Sequence, residues 1–255
     1  MSKTQLAATV GVLGVAVLSA GAAAAQDTPW NGFYVGASAG GSWSDTHMKI
    51  KAASGSGAII MPPGDAALIN GVGSTKDNDT GFTGGIQGGY NYQVDSWVFG
   101  LETDVNFYDL GQSRFKTFQS PVLISPPINF TIGQKIKTDW IWTLRPRVGY
   151  AYGDWMFFGT AGVAVSEVKL TTSYSDTRAT PITASNNESD TKTGWTAGLG
   201  GAYALSPNTS IRGEWLYTNL GTVKSQTTVG SNYATLSSEA DTRGNLFRIG
   251  LDYRF

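Results

Sequence analysis

The stretch Trp97-Val-Phe-Gly-Leu-Glu-Thr-Asp-Val-Asn-Phe107 decides the fold. Trp97, Phe99, Leu101, Val105 and Phe107 take one parity with Thr103, while Val98, Gly100, Glu102, Asp104 and Asn106 take the other. Successive side chains of a strand point to opposite faces, so strict period-two alternation over this length marks a strand with one apolar and one polar side. The pattern recurs from Trp140 to Tyr152, with Trp140, Trp142, Leu144, Pro146, Val148, Tyr150 and Tyr152 opposed by Thr143, Arg145, Arg147, Gly149 and Ala151. It returns at the C-terminus, where Phe247, Ile249, Leu251, Tyr253 and Phe255 alternate with Arg248, Gly250, Asp252 and Arg254. Segments 33–43, 82–92, 155–165, 195–205 and 211–217 complete a set of eight. Segment 155–165 is the least regular, because Met156 and Phe158 fall on the polar side. Pro146 lacks a ladder donor, which predicts a bulge nearby.

The connections sort by length. Asp95-Ser96, Gly153-Asp154 and Ser206-Pro207-Asn208 are tight turns whose flanking residues keep a consistent outward face. The intervening connections, about 46–80, 110–138, 171–193 and 222–244, are long and rich in Ser, Thr, Asn, Asp and Gly. Short turns alternating with long excursions are the layout of bacterial transmembrane barrels. Charge fixes the sidedness. The apolar face of the clean strands carries no charge, and the opposite face carries Glu102, Asp104, Arg145, Arg147, Arg212, Glu214, Arg248 and Asp252. A soluble barrel would be dry inside and wet outside; a membrane barrel inverts this. The expected fold is all-β: an eight-stranded, antiparallel, up-and-down transmembrane β-barrel. Trp30, Trp97, Trp140, Trp155, Tyr92, Tyr152 and Phe255 fall near strand ends and are assigned to interfacial girdles.

The N-terminus reads as a secretory signal. Lys3 precedes an apolar run from Leu6 to Leu18, and Ala23-Ala24-Ala25 gives a cleavage site before Gln26, so residues 1–25 are assigned to the signal and 26–255 to the barrel. The 255-residue chain has no Cys, a net charge of −1, 33 Gly and only 15% charged residues. No disulfide framework, thiolate metal site or basic field for nucleic acid follows from these numbers.

Several motifs carry a resemblance. Trp30-Asn-Gly-Phe-Tyr-Val-Gly36, Gly81-Phe-Thr-Gly-Gly-Ile-Gln-Gly-Gly-Tyr-Asn-Tyr92, Phe99-Gly-Leu-Glu-Thr-Asp104, Leu144-Arg-Pro-Arg-Val-Gly-Tyr150, Gly159-Thr-Ala-Gly-Val-Ala164 and the segment Phe247 to Phe255 occur in an order that resembles the small outer-membrane β-barrel family, porin-like and including opacity-type surface antigens. The resemblance covers the strands and not the loops. It implies location in the cell outer membrane, and a terminal strand, with Tyr253 and Phe255, read by the barrel-assembly machinery. It implies no single shared activity.

The lumen-facing charges number four carboxylates (Glu102, Asp104, Glu214, Asp252) and four arginines (Arg145, Arg147, Arg212, Arg248). An eight-stranded barrel has just room for side chains to fill it, and buried charges persist when paired, so a structural polar plug is expected over a conduit. Gly198 and Gly200 either leave room for long arginines or permit barrel curvature, and the curvature reading is preferred. His47, the sole histidine, lies near Ser42, Ser44 and Asp45, but sequence proximity does not make a nucleophile–base pair, and it is read as a solvated loop residue. The apolar run Pro121 to Ile132 is read as a strand extension above the membrane packing on the Ala58 to Met61 loop, against a contact patch for a host molecule, a phage or a neighbouring subunit. The leading expectation is a non-enzymatic surface barrel with an envelope-integrity and surface-interaction role. It needs no cofactor, and its partners are outer-membrane lipid and lipopolysaccharide, the assembly machinery, and a surface ligand at the loops. A small-solute porin is the alternative, and a lipid-modifying enzyme a weaker one.

Overall fold

The structure, a computed structural model, describes residues 30–54, 63–71, 74–120, 127–177, 179–229 and 234–255. Residues 1–25, assigned above to the signal, the Ala58 to Met61 segment and residues 121–126 lie outside them. Eight strands form a closed antiparallel ring in chain order: β1 (Gly32–Ser54), β2 (Ser74–Val94), β3 (Trp97–Gln119), β4 (Asn129–Tyr152), β5 (Trp155–Asp176), β6 (Thr183–Ala204), β7 (Thr209–Val229) and β8 (Ala234–Arg254). One helix, α1 (Pro63–Gly71), lies between β1 and β2. Val94 pairs with Trp97 and Tyr152 with Trp155, so the turns Asp95-Ser96 and Gly153-Asp154 close two-residue hairpins. Asp95 (φ 52°) and Gly153 (φ 57°) take the left-handed backbone at the first turn position, which Asp and Gly tolerate best.

The strands run to 21–24 residues, about twice the ~9–11 that cross a bilayer. The excursions read from sequence as loops are therefore strand for most of their length. At ~3.3 Å per residue and a tilt near 40°, the extra dozen residues raise a collar roughly 30 Å above the membrane.

The collar reverses the polarity code of the wall. In the lower half, Phe99, Leu101, Val148, Phe157, Leu199, Ile249 and Leu251 face outward and are exposed. In the collar the inward positions hold two apolar layers, separated by the buried polar residues Gln134, Thr172, Ser225 and Ser238. Ile136, Ile141, Val168, Leu170, Leu220, Val223 and Ala240 form one layer. Ile50, Ala66, Ile69, Phe130, Ile132, Tyr174, Val229 and Leu236 form another under α1. Lys135, Lys137, Lys169, Lys224 and Gln226 face out there. Below the boundary the outer solvent is lipid and above it is water, so the hydrophobic effect draws apolar side chains outward in one zone and inward in the other.

Two devices make the switch. In β4 and β7 a bulge does it. The register slips between Thr138 and Ile141 and between Asn219 and Gly221, the latter with Gly221 at φ 75°. The apolar parity of the sequence continues, and the extra residue carries it from the outer face to the inner. In β1, β5 and β8 no bulge occurs, and the apolar residues themselves change parity, as from Val165 outside to Val168 inside. Pro146 causes no register shift. Pairing with β5 skips from Leu144↔Val163 to Arg147↔Thr160 in constant register, and the Thr160 hydroxyl donates to the Pro146 carbonyl at 3.0 Å.

The collar is capped and split. The α1 side chains Ile69 and Ala66 plug its top, Asn70 bonds the Ala52 amide and carbonyl at 2.9 and 3.1 Å, and Ser120 donates to Asp65 at 2.7 Å. Of the run Pro121 to Ile132, the described residues Phe130 and Ile132 are inward and buried in this layer. Between β6 and β7, pairing stops at Trp195↔Asn219, and above it the Asn186 side chain bridges to the Gln226 carbonyl at 2.9 Å.

Candidate functional site

The eight lumen charges meet at mid-height of the membrane zone, all buried. Register places two ion pairs on facing walls. Glu102 of β3 is opposite Arg145 of β4, and Glu214 of β7 is opposite Arg248 of β8. Alternation then aims all four side chains at the axis, where they join across the lumen. Arg145 donates to Glu102 at 2.6 Å, Asp104 at 2.7 Å and, on the far wall, Glu214 at 2.7 Å, and its Nε donates to Thr143 at 3.1 Å. Arg248 binds Glu214 through Nε and a terminal nitrogen at 2.9 and 2.6 Å and crosses to Asp104 at 3.2 Å. Arg212 crosses to the Glu102 carboxylate, with Asp252 at 3.6 Å from its Nε.

Arg147 sits at the lower margin. It reaches Glu102 at 3.2 Å and lies over the rings of Phe158 and Tyr34 at 4.6 and 5.1 Å. That contact explains why Met156 and Phe158 break the alternation of β5. With Val98, Ala151, Ala202 and Trp30 they form an apolar lid on the lower mouth. Trp30 is thus a correction to the girdle assignment. It is buried inside the mouth, its amide bonded to Gln93 at 3.2 Å and the Arg254 guanidinium 5.5 Å over its ring. Trp97, Trp155, Tyr92, Tyr152 and Phe255 do face outward.

The sequence reading did not single out the neutral partners. Tyr34 donates its hydroxyl to Glu102, Gln87 donates to Asp252 at 2.8 Å and receives Ser38 at 3.0 Å, and Asn106 joins Asp104 and Arg248. Their signal was available: each falls on the inward parity of its strand. Gly198 and Gly200 divide. A Cβ at Gly198 would collide with the Trp215 carbonyl oxygen, a close approach of neighbouring backbones that bends the wall. At Gly200 it would strike the Phe158 ring. Neither makes room for an arginine.

The other candidates scatter. Ser42 and Ser44 are buried, with the Ser42 hydroxyl on the Gly81 carbonyl at 3.2 Å. His47 lies within β1, paired with Lys76 and Asp241, and not in a loop; its side chain is outside the described residues. Tyr253 and Phe255 are exposed on the outer face with ring centroids 5.4 Å apart. Among the described residues no group of His, Cys, Asp and Glu is placed to hold a metal ion.

Chemically, this belt is a closed, charge-balanced cross-brace. Above it lies the apolar layer of the collar and below it the apolar lid. The profile of the outer membrane protein beta-barrel domain matches residues 10–255. The 31 kDa outer-membrane immunogenic protein of Brucella melitensis is 34% identical over 178 residues, covering 69% of this chain and 67% of that one. The 25 kDa outer-membrane immunogenic protein of the same organism is 31% identical over 184 residues, covering 72% and 70%. Among solved structures, the outer membrane protein OprG of Pseudomonas aeruginosa aligns over 89% of this chain and 97% of its own at 12% identity and a TM-score of 0.44. With its closed ring and apolar outer wall, its match to the family profile and its identity to the two Brucella proteins, the chain belongs to the outer-membrane protein β-barrel family and resides in the outer membrane.

Proposed function

We propose that this barrel is a non-conducting, non-enzymatic envelope protein. In this reading it braces the outer membrane and presents a rigid collar for contact at the cell surface. One observation carries it: Arg145, Arg212 and Arg248 reach carboxylates on the opposite wall and so fill the lumen with ion pairs. A solute or hydrated ion would have to break several charge-assisted bonds at once, each worth ~1.5–3 kcal/mol. The apolar layers on either side offer it no compensating contacts. The polar outer face of the collar and its strand-built rigidity suit a surface-contact role, and relatives named as immunogenic support exposure at the surface. Tyr253 and Phe255 serve in this reading as the assembly signal. Single-channel recording of the refolded full chain in planar bilayers tests the central claim. Silence apart from brief flickers is expected, and a steady, large open level would overturn it. A lipid-hydrolysing activity lost in His47→Ala would overturn the non-enzymatic part.

A further inference from the structure

Above Trp140 the outer wall of β4 and β5 carries an arrangement that barrel stability does not require. Lys137 and Lys169 are directly opposite in the β4–β5 register and share the outward face. Like charges at opposed positions are destabilising. Here they are held by Asp139, which both lysines bind, at 2.6 and 2.9 Å. The β4 bulge makes this possible by turning two successive residues, Asp139 and Trp140, to the same outer side. Lys135, two positions above Lys137, is exposed on the same face. A second carboxylate, Glu167, is 3.8 Å from Lys169 and receives the Ser189 hydroxyl. Among the described residues of this face, three ammonium groups thus meet two carboxylates. Arg243 with Asp241 and Lys224 with Glu239 are paired one to one elsewhere on the collar.

Height identifies the ligand. Trp140, opposite the exposed Phe107 and on its outward face, takes the girdle position assigned from the sequence, the depth of the headgroups. Lys137 and Lys135 lie roughly 7 and 13 Å further along the strand at ~3.3 Å per residue. In the outer leaflet that layer holds the phosphate groups of the membrane glycolipid. Basic clusters beside a membrane attract anionic headgroups by ~1 kcal/mol per Lys or Arg, about fivefold in affinity each. We propose that Lys135, Lys137 and Lys169 form a docking surface for a phosphate of the outer-leaflet glycolipid, with Asp139 holding the lysine pair together until the phosphate engages it. The surface lies outside the barrel and is independent of whether the lumen conducts.

The test is calorimetric titration of the full chain, refolded in a non-ionic detergent, with bisphosphorylated lipid A, dephosphorylated lipid A and inorganic phosphate. Saturable binding of the phosphorylated lipid is expected, weakened about 25-fold by Lys137→Gln with Lys169→Gln and further by adding Lys135→Gln. Lys224→Gln on β7 should leave it unchanged. Circular dichroism and heat-modified gel mobility report folding, and only folded variants count. Equal affinity for dephosphorylated lipid A, binding that survives the triple change, or inorganic phosphate matching the lipid would each overturn the proposal.

Discussion

Replacing Arg145 by methionine removes the central strut while keeping most of its volume. Arg145 is fully buried and donates to three carboxylates and the Thr143 hydroxyl. Its loss takes the eight-charge belt from neutral to −1. Breaking a buried ion pair by deleting one partner costs ~3–5 kcal/mol, because the abandoned charge stays out of water. No carboxylate is left wholly bare here: Glu102 keeps Arg147 and Arg212, and Asp104 and Glu214 keep Arg248. The expected loss therefore sits near ~3 kcal/mol, about a hundredfold in the folding constant. Adding Glu214→Gln restores neutrality, so the double variant should recover ~1–3 kcal/mol relative to the sum of the singles. The assay is reversible urea unfolding from phospholipid vesicles followed by tryptophan fluorescence, with bilayer recording alongside. A loss under ~1 kcal/mol, or strict additivity, would refute the brace. A stable but leaky Arg145→Met would show instead that the belt gates a channel.

Three further outcomes follow from the two-zone wall. Leu101→Arg, on the lipid face, should cost ~2–4 kcal/mol, whereas Thr228→Arg on the collar should stay within ~0.5 kcal/mol; equal costs in urea titrations would place lipid against both. Asn70→Ala removes both bonds to Ala52, worth ~1–3 kcal/mol together, and should speed amide exchange in α1 and the end of β1 while leaving the lower strands protected. Lys137 and Lys169 hold the Asp139 carboxyl below the ordinary carboxylate range through their hydrogen bonds, so its contribution is present at neutral pH and lost as pH falls through that lowered value. Asp139→Asn should therefore be slightly less stable than the parent at pH 7, by no more than ~1 kcal/mol, with the gap closing below pH ~3.9; a gap that widens with acid would contradict the pairing.

Much of the barrel was legible because its membrane half obeys one code. Phe99, Leu101 and Phe107 outside, with Glu102, Asp104 and Asn106 inside, fix strand, register and sidedness together. The lumen charges were legible for the same reason, since parity alone sends them inward. What parity does not give is reach. That Arg145 would span to Glu214, and that Tyr34 and Gln87 would complete the belt, depends on which strands face each other across the ring. Trp30 was misassigned because it precedes β1, where no alternation constrains it, and the lower mouth needed an apolar plug that Met156 and Phe158 do not fill alone.

The collar was read as loop for a different physical reason. A strand is recognised by the constancy of its apolar parity, and this chain breaks that constancy where the solvent changes. Across β5, outward Val163 and Val165 give way to inward Val168 and Leu170, and a reader holding to one phase sees the pattern dissolve into Ser, Thr and Lys. In β4 the apolar residues keep phase from Phe130 to Val148, but the bulge at Asp139–Trp140 sends the upper ones inward and the lower ones to lipid. A change of facing at girdle height, made by a parity shift in β5 and by a bulge in β4, is therefore itself a signal. It marks the height at which a membrane barrel becomes a soluble one, and on this chain it also places three lysines at the level of the lipid phosphates.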